Sequence, residues 1–178
     1  MLQFLVFVLF LTTSALGAST SGKCGYFSVQ EDIRCVEELT AFSANNILVF
    51  TKNPKNIQKF QESCNSIQRC YETLMCKNGE AVQQITRNVK AYCDSMLYFS
   101  TTFSGCMHKL DNTNSPCWNY YGPFGNDFCT IAFGRNNCMK TEILNNCGQQ
   151  DWIGYRDNML NLMTVVSPDC NYDQYRNL

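Results

Sequence analysis

Hydrophobic residues recur along this chain at helical spacing, and no sustained alternation of apolar and polar residues predicts a strand. From Ile33 through Val36, Leu39 and Phe42 to Ile47 the apolar positions fall three to five residues apart, which predicts a first helix. A second opens at Asn53 and Pro54, read as N-cap and first helical residue. It carries Ile57, Phe60, Cys64, Ile67, Tyr71 and Leu74 at steps of three and four, and Asn78 and Gly79 end it. A third, longer stripe follows: Val82, Ile85, Val89, Tyr92, Met96, Phe99, Phe103, Met107 and Leu110, with a kink or stop expected at Gly105. The pattern breaks between Asp111 and Asn126, where Pro116, Gly122, Pro123 and Gly125 predict a turn-rich loop. A short helix is expected from about Arg135 to Asn146, stopped by Gly148. A last one runs from Asp151, carrying Trp152, Tyr155, Met159, Leu162 and Met163, until Ser167 and Pro168. The expected fold is therefore mainly all-α, a disulfide-rich helical domain of about four to five helices with one aromatic, turn-rich loop.

Ahead of these elements, Leu2 to Leu11 is an almost unbroken apolar run, followed by small and polar residues with Ala15 and Gly17 placed for cleavage. No Lys or Arg precedes the run, but it is about ten residues long, half of what a membrane span needs. The expectation is a signal peptide over residues 1–17 and one exported domain over 18–178, secreted and without stable membrane insertion. Charged residues make up only 16% of the chain and the formal net charge is -1. Without a basic patch the electrostatic attraction that drives nucleic-acid binding is missing, and so is a polybasic membrane tether. None of the asparagines starts an Asn-X-Ser/Thr acceptor, since Asn114 and Ser115 are followed by Pro116.

Twelve cysteines change the picture most: Cys24, Cys35, Cys64, Cys70, Cys76, Cys93, Cys106, Cys117, Cys129, Cys138, Cys147 and Cys170. Neighbours are never closer than five intervening residues, so the Cys-X-X-Cys pairs of zinc and redox sites are absent. An even count in an exported chain favours six bridges and no free thiol. Cys64, Cys70 and Cys76 are six residues apart, about 9 Å along a helix and beyond the roughly 7 Å a bridge spans. The same geometry separates Cys93 from Cys106 and Cys138 from Cys147. Each sulfur must therefore reach another element, and the disulfides are ties between helices. Twelve cysteines allow about ten thousand connectivities, among which sequence does not choose.

The segment Phe133-Gly134-Arg135-Asn136-Asn137-Cys138-Met139-Lys140-Thr141-Glu142-Ile143, then Cys147-Gly148, Trp152, Tyr155 and Arg156, resembles the signature of a large nematode family of secreted cysteine-rich proteins, a domain of unknown function numbered nineteen. The resemblance extends to the cysteines from Cys24 to Cys170 and so to nearly all of the expected mature chain. It implies a secreted, disulfide-rich, helix-dominated domain with no catalytic residues to transfer, and some members are associated with responses to infection or stress.

Candidate chemistry is sparse. His108 is the only histidine, close in sequence to Cys106 and Asp111. A secreted phospholipase places its histidine similarly, but the paired cysteines before it and the aspartate after it are absent here, where Lys109 follows. Gly-X-Ser-X-Gly is absent too. A carboxylate-only mechanism would need two acids a few ångströms apart, and Glu37, Glu38, Glu62, Glu72, Glu142 and Asp151 offer pairs that sequence does not position. The expectation is a protein without catalytic, cofactor or metal residues. The candidate binding surface is the loop bearing Trp118, Tyr120, Tyr121 and Phe124 among Asn and Gly, flanked by Cys117 and Cys129. Aromatics so interleaved suit recognition of a protein or glycan, or else fold back as a lid on the core. The alternative function is a carrier enclosing an apolar ligand between Met96, Phe99, Phe103, Met159 and Met163, residues that otherwise simply fill a core.

Overall fold

The computed structural model describes residues 29–46, 53–121, 129–130 and 132–178. The side chains of residues 29–33, 46, 73–79, 81–82 and 119–121 are not among what is described. Outside the described residues therefore lie the expected signal peptide, Cys24, Ile47 and Phe124, and the side chains of Ile33, Leu74, Cys76, Val82, Tyr120 and Tyr121. The protein is an all-α, disulfide-rich fold, with no strand among the described residues. Its elements are α1 (Val29–Asn46), α2 (Pro54–Ser100), α3 (Ser104–Asp111), α4 (Pro116–Tyr121), a 3-10 turn (Arg135–Asn137), α5 (Cys138–Asn146), α6 (Gln149–Val166) and α7 (Asp173–Arg176). Contacts gather the chain into two compact units, residues 1–93 and 94–178, with the last turns of α2 belonging to the second.

In the first unit α2 opens as its sequence directs: Asn53 Oδ1 accepts the Lys55 backbone N–H at 3.0 Å, and Pro54 occupies the first helical position. No helical break marks Asn78 and Gly79, yet the stretch is not one straight rod. Cys64 and Cys93, 29 residues apart, are bridged with their Cα atoms 6.0 Å apart, whereas an unbroken helix would separate them by about 43 Å. Phe42 likewise meets both Phe60 and Tyr92, at ring-centroid distances of 6.0 and 6.2 Å. The stretch therefore folds back as two arms between Cys64 and Cys93. The helix end expected at Asn78 and Gly79 is not found, since helical structure is continuous from Pro54 to Ser100.

Helix α1 runs antiparallel to the first arm, with Cys35 bridged to Cys70, Phe42 on Phe60, and Asn45 Nδ2 donating to the buried Ser63 hydroxyl at 2.6 Å. The face that packs is thus Cys35, Leu39 and Phe42. Val36, expected on the apolar stripe, is 60% exposed. It sits one residue beyond Cys35, about 100° around the helix and off the packed face.

In the second unit the third expected helix ends early, at Ser100, and α3 starts at Ser104. Gly105 lies inside α3 rather than at the break. At the break lie Ser100, Thr101 and Ser104, whose hydroxyls all bond backbone carbonyls. Ser100 Oγ bonds the Met96 carbonyl, Thr101 Oγ1 the Leu97 carbonyl at 2.6 Å, and Ser104 Oγ the Thr101 carbonyl at 2.7 Å. Such back-bonds compete with the helical ladder. Phe99 and Phe103 remain together across the break, 5.7 Å apart and fully buried.

Helix α6 is the axis of this unit's core. Trp152, Tyr155, Met159, Leu160, Leu162 and Met163 are all buried on it, and it packs against α5 and α7, while α5 also meets α3 and α4. Around Tyr155 stand Phe99, Phe103 and Trp152, at 5.9, 5.4 and 6.2 Å, and Phe133 stacks on Tyr175 at 4.1 Å. The stop at Gly148 is as the sequence predicts. Its φ of 103° is a conformation that favours glycine, and its N–H closes onto the Ile143 carbonyl at 3.0 Å.

Candidate functional site

Of the three candidate residues around the single histidine, all in the second unit, Cys106 and Asp111 are engaged in structural bonds and the His108 side chain is not. Cys106 is bridged to Cys147. Asp111 accepts the Trp118 indole N–H at 2.8 Å. His108 is exposed in the last turn of α3, where its backbone carbonyl accepts the Asn112 amide at 2.8 Å. The Cys106, His108 and Asp111 trio therefore divides between a bridge, a solvent-facing ring and a tryptophan anchor. Cys106, Cys147 and Asp151 do converge, with candidate ligand atoms within 4.8 Å of one another. Sulfur bonded to sulfur offers no thiolate, however, and the thiolate is the metal-binding form. Of the candidate acids, Glu37, Glu62 and Glu72 are exposed, and Glu38, Glu142 and Asp151 are half-buried. Glu62 accepts a hydrogen bond from Gln58 one helical turn away at 2.9 Å.

The aromatic segment is held at both ends. Cys117 is bridged to Cys138 at the start of α5, and Cys129 to Cys170 just before α7. Its first part is helical, contrary to the expected turn-rich loop, which contains α4. The signal was present as Ser115-Pro116, an N-cap followed by proline at the first helical position. The buried Ser115 hydroxyl accepts the backbone N–H groups of Cys117 and Trp118 at 3.1 and 3.2 Å. Trp118, one of the four candidate binding residues, is buried, only 8% exposed, and its polar edge is spent on Asp111. It anchors the segment to the fold. Tyr120, Tyr121 and Phe124 lie outside what is described. The carrier residues Met96, Phe99, Phe103, Met159 and Met163 are all buried, and the two phenylalanines pack on each other and on Tyr155.

Burial also sets the ionisation of the core tyrosines. Tyr155 is fully buried and donates its hydroxyl to the Ala132 carbonyl at 2.6 Å, and burial pushes its pKa far up. Tyr98 is pushed up to about 12, first by burial and then by the Asp151 and Asp157 carboxylates. Its ring occupies space that only glycine leaves on α6, since a Cβ at Gly154 would come within 2.6 Å of the Tyr98 hydroxyl. The Tyr172 hydroxyl is buried close to Ser167 without a well-formed hydrogen bond, and burial raises its pKa.

Residues 24–171 match the family described as Domain of unknown function (DUF19). The chain belongs to this family. Two relatives from Caenorhabditis elegans span nearly the whole chain. One, UPF0376 protein F10G2.1, is 30% identical over 180 residues, covering 91% of this chain and 87% of its own length. The other, named Excretory canal abnormal exc-13, is 26% identical over 182 residues, covering 92% and 88%. No solved structure matches the chain.

The geometry explains the signature that carried the resemblance. Gly134, Asn136 and Asn137 have φ of 69°, 56° and 58°, left-handed conformations tolerated best by Gly and Asn. Phe133, Met139, Ile143, Trp152 and Tyr155 are fully buried, and Cys138 and Cys147 carry bridges. Arg156 pairs with its neighbour Asp157 at 2.8 Å. Eleven of the sixteen signature residues are accounted for by backbone conformation, packing or a disulfide, and Arg135, Lys140, Thr141, Glu142 and Arg156 are not.

Proposed function

We propose that this protein is a non-catalytic recognition module secreted from the cell, binding a protein or glycan through the aromatic segment between Cys117 and Cys129. The observation that carries the reading is the pair of bridges, Cys117–Cys138 and Cys129–Cys170, that fix both ends of a segment rich in Tyr, Phe, Asn and Gly. Ordering the ends of a binding segment in advance lowers the entropy lost when a partner docks. Disulfides at five described pairs favour an oxidising, extracellular setting. The engagement of Cys106 and Asp111 in structural bonds speaks against an enzyme centred on His108. The packing of Phe99, Phe103 and Tyr155 on one another speaks against the carrier. Infection or stress is the physiological setting that the family resemblance implies.

The test uses the oxidised, secreted protein and a Tyr120→Ala, Tyr121→Ala, Phe124→Ala variant, with Trp118 left intact because it belongs to the fold. Retention on immobilised extracellular matrix and on microbial glycans is expected to be lost in the variant while the far-ultraviolet circular dichroism is unchanged. Equal retention of both proteins would refute the recognition surface. A lipid found on the native protein by mass spectrometry would favour the carrier instead.

A further inference from the structure

Five bridges are described, and four of them contain at least one buried cysteine: Cys70 in Cys35–Cys70, both members of Cys64–Cys93, Cys106 in Cys106–Cys147 and Cys117 in Cys117–Cys138. Cys129–Cys170 is different. Cys129 is exposed and Cys170 half-buried. Thiol–disulfide exchange begins with a thiolate approaching one sulfur of the bridge, so access decides which bridge reacts first. On this ground we propose that Cys129–Cys170 is a thiol-addressable clip, opened by an external thiol before the other bridges and without loss of the fold.

The two ends are also seated in the fold independently of their sulfurs. On the Cys129 side, the Phe133 and Gly134 N–H groups both bond the Thr130 carbonyl, at 3.0 and 2.9 Å, and Phe133 is fully buried. On the Cys170 side, the Asp173 N–H bonds Asn171 Oδ1 at 2.9 Å, an Asx turn that leads into α7. Tyr175 on α7 stacks against Phe133, and the Trp152 indole N–H reaches the Leu178 carbonyl at 3.3 Å. Aromatic packing and backbone hydrogen bonds thus hold both ends in place when the bridge is cut. Opening the clip removes one covalent end of the segment that precedes Cys129 and leaves the Cys117–Cys138 tie.

The step balances as ordinary exchange. A thiolate attacks the accessible Cys129 sulfur and forms a mixed disulfide, expelling Cys170 as a thiolate that takes up a proton. A second thiolate attacks the mixed disulfide and releases Cys129, which is protonated in turn. Two electrons pass from the external thiol pair, which leaves as its disulfide, and two cysteine thiols remain.

The experiment first blocks any free thiol of the intact protein with one alkylating reagent. It then exposes the protein to graded dithiothreitol, traps new thiols with a second, mass-distinct reagent, and maps the labels by peptide mass spectrometry. Cys129 and Cys170 are expected to label more than about tenfold faster than the other eight bridged cysteines, with helical circular dichroism unchanged. Any other pair labelling first, or all ten labelling together as helicity falls, overturns the proposal. A Cys129→Ser, Cys170→Ser variant gives a second reading: it is expected to keep its helicity and its other bridges, and an unfolded variant refutes the clip. No binding partner enters either measurement, so the clip stands or falls apart from the recognition reading.

Discussion

The two units use sulfur differently. In the first, Cys64, Cys70 and Cys93 are as buried as any aliphatic residue, at 1%, 2% and 1% exposure, and their bridges lie in the seams between helical rods. The described rings there are few: Phe42 touches Phe60 and Tyr92. Disulfide sulfur shares this core with the buried Ile67, Tyr71, Ile85 and Val89. In the second unit the centre is aromatic, built from Phe99, Phe103, Phe133, Trp152, Tyr155 and Tyr175, and the three bridges sit at the ends of elements. The lesson is that the bridges of one cysteine-rich chain are graded by burial: both sulfurs are buried in Cys64–Cys93, one cysteine is buried in Cys35–Cys70, Cys106–Cys147 and Cys117–Cys138, and neither in Cys129–Cys170.

The largest effect that would break this comparison is expected from the aromatic centre. Phe133→Ala removes the stacking partner of Tyr175 and opens a cavity, at a cost of about 3–5 kcal/mol. Denaturant unfolding followed by tryptophan fluorescence would measure it, and a loss below about 1 kcal/mol would mean that the bridges, not the rings, hold this unit. Next comes the buried bridge of the first unit. Cys64→Ala with Cys93→Ala should cost about 2–5 kcal/mol and lower the helical signal, because covalent closure and packed sulfur vanish together. A smaller loss there than for the Cys129, Cys170 pair would invert that grading.

Local terms come below these. Ser115→Ala leaves the Cys117 and Trp118 N–H groups without their acceptor and should cost about 1 kcal/mol, read as a lowered Tm. Alkaline pH probes the aromatic centre without mutation. Tyr98 titrates near 10 in the unfolded chain and at about 12 when folded. The unfolded state therefore releases its proton first, and stability, constant on this account below pH 10, falls as pH rises through 10 to 12. Tyr98→Phe should flatten that fall in a pH series of thermal melts, and an unchanged slope would dismiss the contribution. Smallest of all is Tyr172→Phe. Deleting a buried hydroxyl that lacks a well-formed hydrogen bond should change stability by less than about 0.5 kcal/mol, or raise it.

Much of the fold was legible because helix signals are local. Asn53-Pro54 opens α2, Gly148 separates α5 from α6, and Ser167-Pro168 closes α6, each through chemistry contained within a few residues. Ser115-Pro116 is an equally local signal, masked by the turn residues around it. The end of α2 was harder. Gly105 is the obvious breaker by propensity, but the break falls earlier, among Ser100, Thr101 and Ser104, whose hydroxyls bond backbone carbonyls. Of the candidate site, the Cys117 and Cys129 flanks were readable as tethers. The role of Trp118 was not, since burial and the bond to Asp111 depend on how α3 and α4 meet.

By itself the sequence determined that this protein is helical, that it is disulfide-rich, and which family it resembles. It did so because period, caps and rise per residue are properties of neighbouring residues. The expectation that every bridge ties separate helices fails for Cys64–Cys93, which lie on one continuous helix, and for Cys129–Cys170, which lie outside the helices. Only the tertiary structure decided which cysteine meets which, that Val36 faces outward, and that most signature residues serve the fold. Those outcomes depend on the rotation and register of one helix against another. A single residue shifts that rotation by about 100°, and no local pattern records it.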